Sequence, residues 1–463
     1  MNFLVAIAAL VFLMFVAYRG FSVILFAPVA ALLAVLLTDP GGVPTVYTGL
    51  FMDKMVGFVK LYFPVFLLGA VFGKVIELSG FSKSIVSAVI RLLGPQRAML
   101  SIVLVGAVLT YGGVSLFVVV FAVYPFAAEM FRQSDIPKRL IPGTIALGAF
   151  TFTMDALPGT PQIQNIIPTT FFKTNTWAAP WLGIFGAAFV FIVGMSYLEW
   201  LRRRAAAAGE GYGTGHTQEP EPISERGLPG PLVSLTPLVI VGVMNIVFTW
   251  LIPHIFGATN QVSLPGLDHP IVTQVPAVAA IWAVQGALLL GILSVVALAF
   301  RPVSQRFAEG TKAAVAGALL ASMNTASEYG FGSVIAALPG FIVIKNALVS
   351  VPNPLINTAV TVTALAGVTG SASGGLSIAL AAMANQFIAA ANAAGIPLEV
   401  LHRVASMASG GMDTLPHNGA VITLLAVTGL THRQSYKDIF ALTCTKTAAV
   451  FFVIGVYYLT GIV

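Results

Sequence analysis

The chain has 463 residues, of which 57% are hydrophobic and only 9% charged, against roughly a quarter charged in a soluble domain. That balance excludes a soluble globular protein, and the long unbroken apolar runs exclude an outer-membrane barrel, whose strands alternate. The net charge of +6 collects at the ends of apolar runs, where it sets orientation in a membrane, so it does not indicate nucleic acid. The expectation is an all-α polytopic membrane protein.

In chain order, the runs 1–16, 21–37, 181–197, 232–248 and 271–300 approach or exceed the ~20 apolar residues that span a bilayer. The first has no basic leading region and no clear cleavage motif, and reads as a retained span rather than a signal peptide. Arg19 places the turn after it in the cytoplasm and the N-terminus outside. The segment 98–131 is flanked by Arg91 and Arg97 before and by Arg132, Lys138 and Arg139 after. Both of its ends are therefore expected on the cytoplasmic side, which a re-entrant helical hairpin with TYGGVS (110–115) at its tip satisfies. A glycine pair such as Gly112-Gly113 breaks a helix and lets a ligand approach the backbone. The freed N–H groups suit an anion. The plainer use of such a pair is close helix packing.

The stretch FTMDALPGTPQIQNIIPT (152–169) sets Asp155 in an otherwise uncharged run followed by Pro158, Pro161 and Pro168. Prolines remove backbone donors and discourage helix. The span 140–172 is thus expected to break just after Asp155, with a loop at 157–161 and a half-helix at 162–172. An ionisable residue at membrane depth is costly and by default a functional candidate, here for proton uptake. Its plainer role would be to cap the half-helix. Thr160, Gln162, Gln164 and Asn165 add polar groups to the same break.

After Arg202, Arg203 and Arg204, residues 205–231 are polar and rich in Gly, Pro and Glu, and read as a flexible cytoplasmic linker between a first repeat (1–204) and a second (232–463). The halves share four features in the same order. Glu77 matches Glu328, TYGGVS matches GSASGGLS (370–377), Ile136-Pro137 matches Ile396-Pro397, and MDALP (154–158) matches MDTLP (412–416). An internal duplication follows. The second half then carries a hairpin at 354–394, tipped by Ser371, Ser373, Gly374, Gly375 and Ser377. Its broken span is 399–429, with Asp413, Pro416, His417 and Asn418 in the break, a loop at 415–419 and a half-helix at 420–429. Asn353, Asn392 and Glu399 flank that hairpin without a basic residue, so its ends read as external, while THRQSYKD (431–438) reads as cytoplasmic and the C-terminus as outside. Opposite orientation of the two halves makes them inverted-topology repeats. The alternative is a simple helical bundle with a chance charge pattern.

Glu77, beside Lys74 and Ser79, reads as an interfacial carboxylate, whereas Glu328, among Asn324, Thr325 and Ser327, is a candidate for the translocation path. The proton-coupling candidates are Asp155, Asp413, His417 and Glu328. The substrate-binding candidates are Tyr111, Gly112, Gly113, Ser115, Thr160, Gln162, Asn165, Ser371, Ser373, Gly374, Gly375 and Asn418. His417 is the one histidine placed in a candidate site and could titrate near neutral pH. No arginine falls in a tip or a break, so an anion would be held by backbone N–H groups, hydroxyls and amides. Cys444 is alone, leaving no disulfide framework or thiol-based metal site. No metal or cofactor is expected, and no GxxxxGK[ST] motif points to ATP.

The hairpin TYGGVSLFVVVFAVYPFAAE, the following Ile-Pro and the break TMDALPGTPQIQNIIPT resemble the gluconate permease family of the ion transporter superfamily, over most of the chain and including the two-repeat layout. The resemblance implies proton-coupled import of an organic acid across the bacterial inner membrane, with hairpin tips and span breaks forming the site. It also implies an elevator-like movement and a homodimer. A short hydroxy-carboxylate such as 3-hydroxybutyrate and a sugar acid such as gluconate both fit the polar groups. The rivals are a sodium-coupled carboxylate symporter and a sodium/proton antiporter. An intramembrane aspartyl protease with Asp155 and Asp413 as its dyad is a third, but the surroundings lack protease motifs and the hairpins would have no task.

Overall fold

The computed structural model describes residues 2–19, 21–94, 97–216, 219–220, 227–342, 351–416 and 418–463. Its apolar runs fold as helices, because in a bilayer each backbone polar group must find its partner within its own segment. The first part comprises α1 (Asn2–Tyr18), α2 (Val23–Thr38), α3 (Pro40–Leu78), α4 (Phe81–Leu93), α5 (Ala98–Tyr111) and α6 (Leu116–Gln133). It continues with α7 (Ile141–Ala149), the single turn α8 (Phe152–Asp155), α9 (Ile163–Phe172) and α10 (Pro180–Ala207). The second part comprises α11 (Pro231–Phe256), α12 (Val275–Leu298), α13 (Phe300–Ala337), α14 (Pro354–Thr369) and α15 (Ala372–Ala393). Then follow α16 (Leu398–Gly410), α17 (Gly419–Thr428) and α18 (His432–Thr460). Among the described residues, six helices are long and apolar enough to cross a membrane: α3, α10, α11, α12, α15 and α18.

Two sequence expectations are corrected. The run 271–300 is not one span. Ile271–Gln274 is a strand paired antiparallel with Thr259–Val262, and the helix begins only at Val275, where Pro276 in its first turn suits a helix start. The segment after α10 is also not a free linker where it is described. Tyr212 is buried and its N–H donates to Asp135 Oδ1 (2.9 Å), while Glu210 and Glu219 pair with Arg139 and Lys138.

Burial locates the centre of the molecule. Every residue of α7 is buried, and so is every residue of α16 from Val400 to Gly410. By contrast α11 exposes Leu232, Val239 and Trp250, as expected of a lipid-facing helix. The two central helices are the ones whose continuations break. At the start of α7, Ser435 Oγ donates to Arg139 O (2.5 Å) and Arg139 pairs with Asp438 at the head of α18. Beyond the end of α9, Thr174 meets His402 near the start of α16. At the end of α17, Thr428 O accepts from Tyr124 of α6, whose ring lies under Lys138. The two broken segments therefore run past each other in opposite directions.

Candidate functional site

The second tip, the second break and the first half-helix meet at Asp413. Its Oδ1 accepts from the Ala372 N–H (3.1 Å) and from Asn418 Nδ2 (3.5 Å), and its Oδ2 accepts from Gln164 Nε2 (2.8 Å). Ala372 opens α15, Asn418 opens α17 and Gln164 lies in the first turn of α9, so three helix N-termini converge on one carboxylate. N-termini carry unpaired N–H groups and partial positive charge, which favours a negative group there. Asn418 also ties the tip to the break, donating to Gly370 O (2.9 Å) and accepting from Ala420 N (2.7 Å).

The aspartates do not cap the half-helices. The side chain of Asn418 does so for α17, and Gln162, which precedes α9, makes no side-chain cap bond. Helix ends at Asp155 in the first span, which also opens earlier at Phe150–Thr151, and at Thr414 in the second, after a 3-10 turn, Gly411–Thr414, that contains Asp413.

The second tip differs from its expected shape. Its turn is Gly370–Ser371, with Gly370 at φ 66, and Gly374 and Gly375 lie inside the first turn of α15 because Ser371 Oγ caps it through the Gly374 N–H (3.1 Å). Gly375 packs against the backbone of Ala366 in α14, a close-packing role. Gly374 packs against the carboxylate of Glu328, which is buried in the middle of α13 with no hydrogen-bond partner for Oε2. Hydroxyls surround this contact: Thr325 Oγ1 lies 3.2 Å from Ser373 Oγ, which lies 3.4 Å from Ser371 Oγ. Glu77, the sequence counterpart of Glu328, is half-exposed and pairs with Lys74 at 2.8 Å.

The first tip docks on the first break through neutral bonds. Tyr111 OH donates to Pro158 O (2.9 Å) and Gln162 Nε2 donates to Thr110 O (2.8 Å). Gly113 turns the chain at φ 95, a conformation that suits glycine, and Gly112 lies against Leu238. Ser115 opens α6, packed against Gly73. Thr160 Oγ1 donates to Thr153 O (2.7 Å). Asn165 has no spare capacity: Nδ2 donates to Thr160 O and Thr176 O, while Oδ1 accepts from His402 and Arg403. Thr160 and Asn165 thus hold the break in shape.

Three residues that the sequence reading did not single out organise this region. Arg403 is fully buried and donates to Asp155 O (3.0 Å), Ala178 O (2.8 and 3.2 Å) and Asn165 Oδ1 (3.1 Å). His402 is buried between Thr174 and Asn165; the Asn165 acceptor makes Nε2 the donor and leaves Nδ1 to accept from Thr174. It is a histidine beside a break that the sequence does not single out; His417 lies outside the described residues. Lys446 of α18 is buried beside Asp155, 3.3 Å from Oδ2, a charge contact without a hydrogen bond to that oxygen. Arg403 supplies the arginine that no tip or break contains, but its donors are committed to protein acceptors.

Two surface cavities lie away from these groups. One of about 410 Å³ is lined by Val239, Ile240, Val243, Met244 and Leu290, and another of about 280 Å³ lies between Val35 and Pro339. The first lining is wholly apolar and offers nothing to a polar anion.

No family model matches the chain. It is 59% identical over 472 aligned residues to the uncharacterised transporter YxjC of Bacillus subtilis (strain 168), with 100% of both chains covered. Among solved structures it is similar to the YdaH transporter of Alcanivorax borkumensis, with a TM-score of 0.49 and 16% identity over 91% of this chain and 90% of that one.

Proposed function

The chain belongs to the same transporter family as YxjC, and from that premise we propose that it imports a small organic anion together with protons. The observation that carries this reading is the convergence on Asp413 of Ala372, Gln164 and Asn418, from three separate elements. Asp413 and Glu328 flank the Gly370–Ser377 tip from two sides. An anion entering there meets two carboxylates as well as helix N-termini. Like charges at close range repel, so the anion binds when the carboxylates are neutralised, and protons travel with it. Protonating Asp413 also weakens its grip on the Ala372 N–H and on Gln164, which loosens the tip from the breaks. The hydroxyls of Thr325, Ser371 and Ser373 suit a hydroxy-carboxylate or sugar acid, in keeping with the resemblance to gluconate permeases.

The opposite courses of the two broken segments support an inverted repeat, and an elevator-like step of the tips and breaks against the remaining helices is the movement we assign. The basic face formed by Arg132, Lys138, Arg139 and the head of α18 is taken as cytoplasmic, with both termini outside and the protein a dimer in the cell membrane. A protease dyad needs two carboxylates sharing one proton. Among the described residues no hydrogen bond joins Asp155 to Asp413, and Lys446 stands beside the first.

The test is uptake of labelled short hydroxy acids and sugar acids into proteoliposomes under a proton gradient or a sodium gradient alone. Proton-driven uptake, lost in Asp413→Asn and in Glu328→Gln, is the expected outcome. Uptake that follows sodium, or no uptake of any acid, would overturn the reading.

A further inference from the structure

The surroundings of Lys446 are those of a cation site. Its ammonium donates to Phe150 O (2.8 Å) and to Gly410 O, and lies 3.3 Å from Asp155 Oδ2. Phe150 closes α7 and Gly410 closes α16. Both carbonyls therefore belong to the C-terminal ends of half-helices, where lone pairs are unpaired and the partial charge is negative. Two such carbonyls and one carboxylate, at the crossing of two oppositely running broken spans, form the oxygen set that holds sodium in secondary transporters. Lysine and aspartate side chains are both almost wholly buried here, at 2% and 4% exposure. Gly410 has no room for a side chain, since a methyl group there would strike Asp155 Oδ2.

We infer that the Lys446 ammonium is a built-in substitute for a coupling sodium ion at this crossing. A tethered cation satisfies the two carbonyls and Asp155 in every state, so the site neither loads nor releases an ion. Asp155 is then half of a fixed pair, and coupling falls to Asp413 and Glu328, which no lysine or arginine ion-pairs among the described residues. A purely structural lysine would make the same bonds, but its removal would not create a sodium site. The inference deepens the proposed function by assigning what this crossing does, and its binding test needs no substrate. Failure of uptake would therefore sink the substrate reading and leave this one standing.

The experiment compares the purified protein with Lys446→Ala and with Lys446→Ala combined with Asp155→Asn. Thermal stability is read in sodium chloride against choline chloride, together with binding of radioactive sodium. The wild type should show no sodium preference. Lys446→Ala should gain sodium binding near one ion per chain and a rise in Tm of several degrees in sodium, and the double variant should lose both. Sodium binding by the wild type that Asp155→Asn removes would overturn the inference, as would a folded Lys446→Ala indifferent to sodium. Should Lys446→Ala fail to fold in choline, high sodium should rescue it or Lys446→Gln; failure of both in high sodium is equally fatal.

Discussion

Asp155 and Asp413 occupy matching places in two similar stretches of sequence, yet their surroundings differ in kind. Asp155 faces a lysine, and its backbone carbonyl is held by Arg403 and Ser406. Asp413 is met by a backbone N–H and two amides, all neutral. A buried ion pair resists change, because removing one charge leaves the other uncompensated. A carboxylate held by neutral donors can take up a proton while losing only part of its bonding. The same MDxLP pattern thus sits in two different settings, one carboxylate beside a fixed charge and the other among neutral donors.

Breaking the bonds around Asp155 should cost most. Arg403→Ala takes both guanidinium bonds from Ala178 O, where an unsatisfied buried carbonyl costs about 1–3 kcal/mol, and takes one of two side-chain donors each from Asp155 O, which keeps Ser406, and Asn165 Oδ1, which keeps His402. We expect the largest loss of stability of any single change considered, read as the midpoint of thermal unfolding in detergent. Arg403→Lys should not restore it, since one ammonium cannot reproduce a forked set of donors. An unchanged midpoint in Arg403→Ala would erase the distinction between the halves.

The paired glycines sharpen the comparison. A methyl on Gly410 meets Asp155, and a methyl on Gly374 meets Glu328; overpacking of this kind costs about 1–3 kcal/mol. Glu328 has no ion-pair partner among the described residues, so Glu328→Ala should relieve the strain of Gly374→Ala, and the double variant should be more stable than the sum of the singles. Asp155→Ala should not relieve Gly410→Ala, because it strands Lys446 in the interior. A double-mutant cycle on each pair measures both couplings, and equal couplings would mean that the two halves do not differ.

Asn418 and Asn165 extend the contrast at smaller scale. Asn418→Ala removes the cap of α17 and the tie to Gly370 O. It should lower stability by about 1 kcal/mol while raising the rate at which a cysteine at Ser371 reacts with a thiol reagent. Asn165→Ala should destabilise more, having lost four partners, without changing that rate.

The helical, apolar character of the chain was legible from composition, and the positions where it turns were legible from glycine and proline. Gly113 and the Pro158–Pro161 stretch mark turns because their backbone requirements are local. What the sequence hid was partnership. Arg403 and His402 sit in LHRVASM, and Lys446 in CTKTAAV, where each looks like a stray polar residue in a helix. Their partners lie more than 200 residues away, except that Lys446 also reaches Gly410. A lysine inside an apolar span is itself a signal at membrane depth, and it was the one available pointer to the Asp155 pair. Within the 370–377 tip the turn falls at Gly370–Ser371, ahead of the glycine pair, because a capping serine lets the helix begin before residues that sequence alone reads as a break.

The smallest effect belongs to a pair of the same chemistry at the surface. Glu210 binds Arg139 through both carboxylate oxygens (2.7 and 2.9 Å), tethering the segment after α10 to the start of α7. The guanidinium holds the Glu210 carboxyl below the usual carboxylate range. Because the folded value lies below the unfolded one, of about 4.3, the stabilisation is complete above the unfolded value and is lost as pH falls through the folded one. Both side chains are substantially exposed, so solvent screening limits the pair to roughly 0.2–1 kcal/mol, less in high salt. Limited proteolysis of residues 211–231 should therefore quicken only slightly in Glu210→Gln at neutral pH, and the difference from wild type should vanish in acid. A loss of stability as large as that of Arg403→Ala would mean that burial is not what separates the interior bonds of this protein from an ordinary surface ion pair.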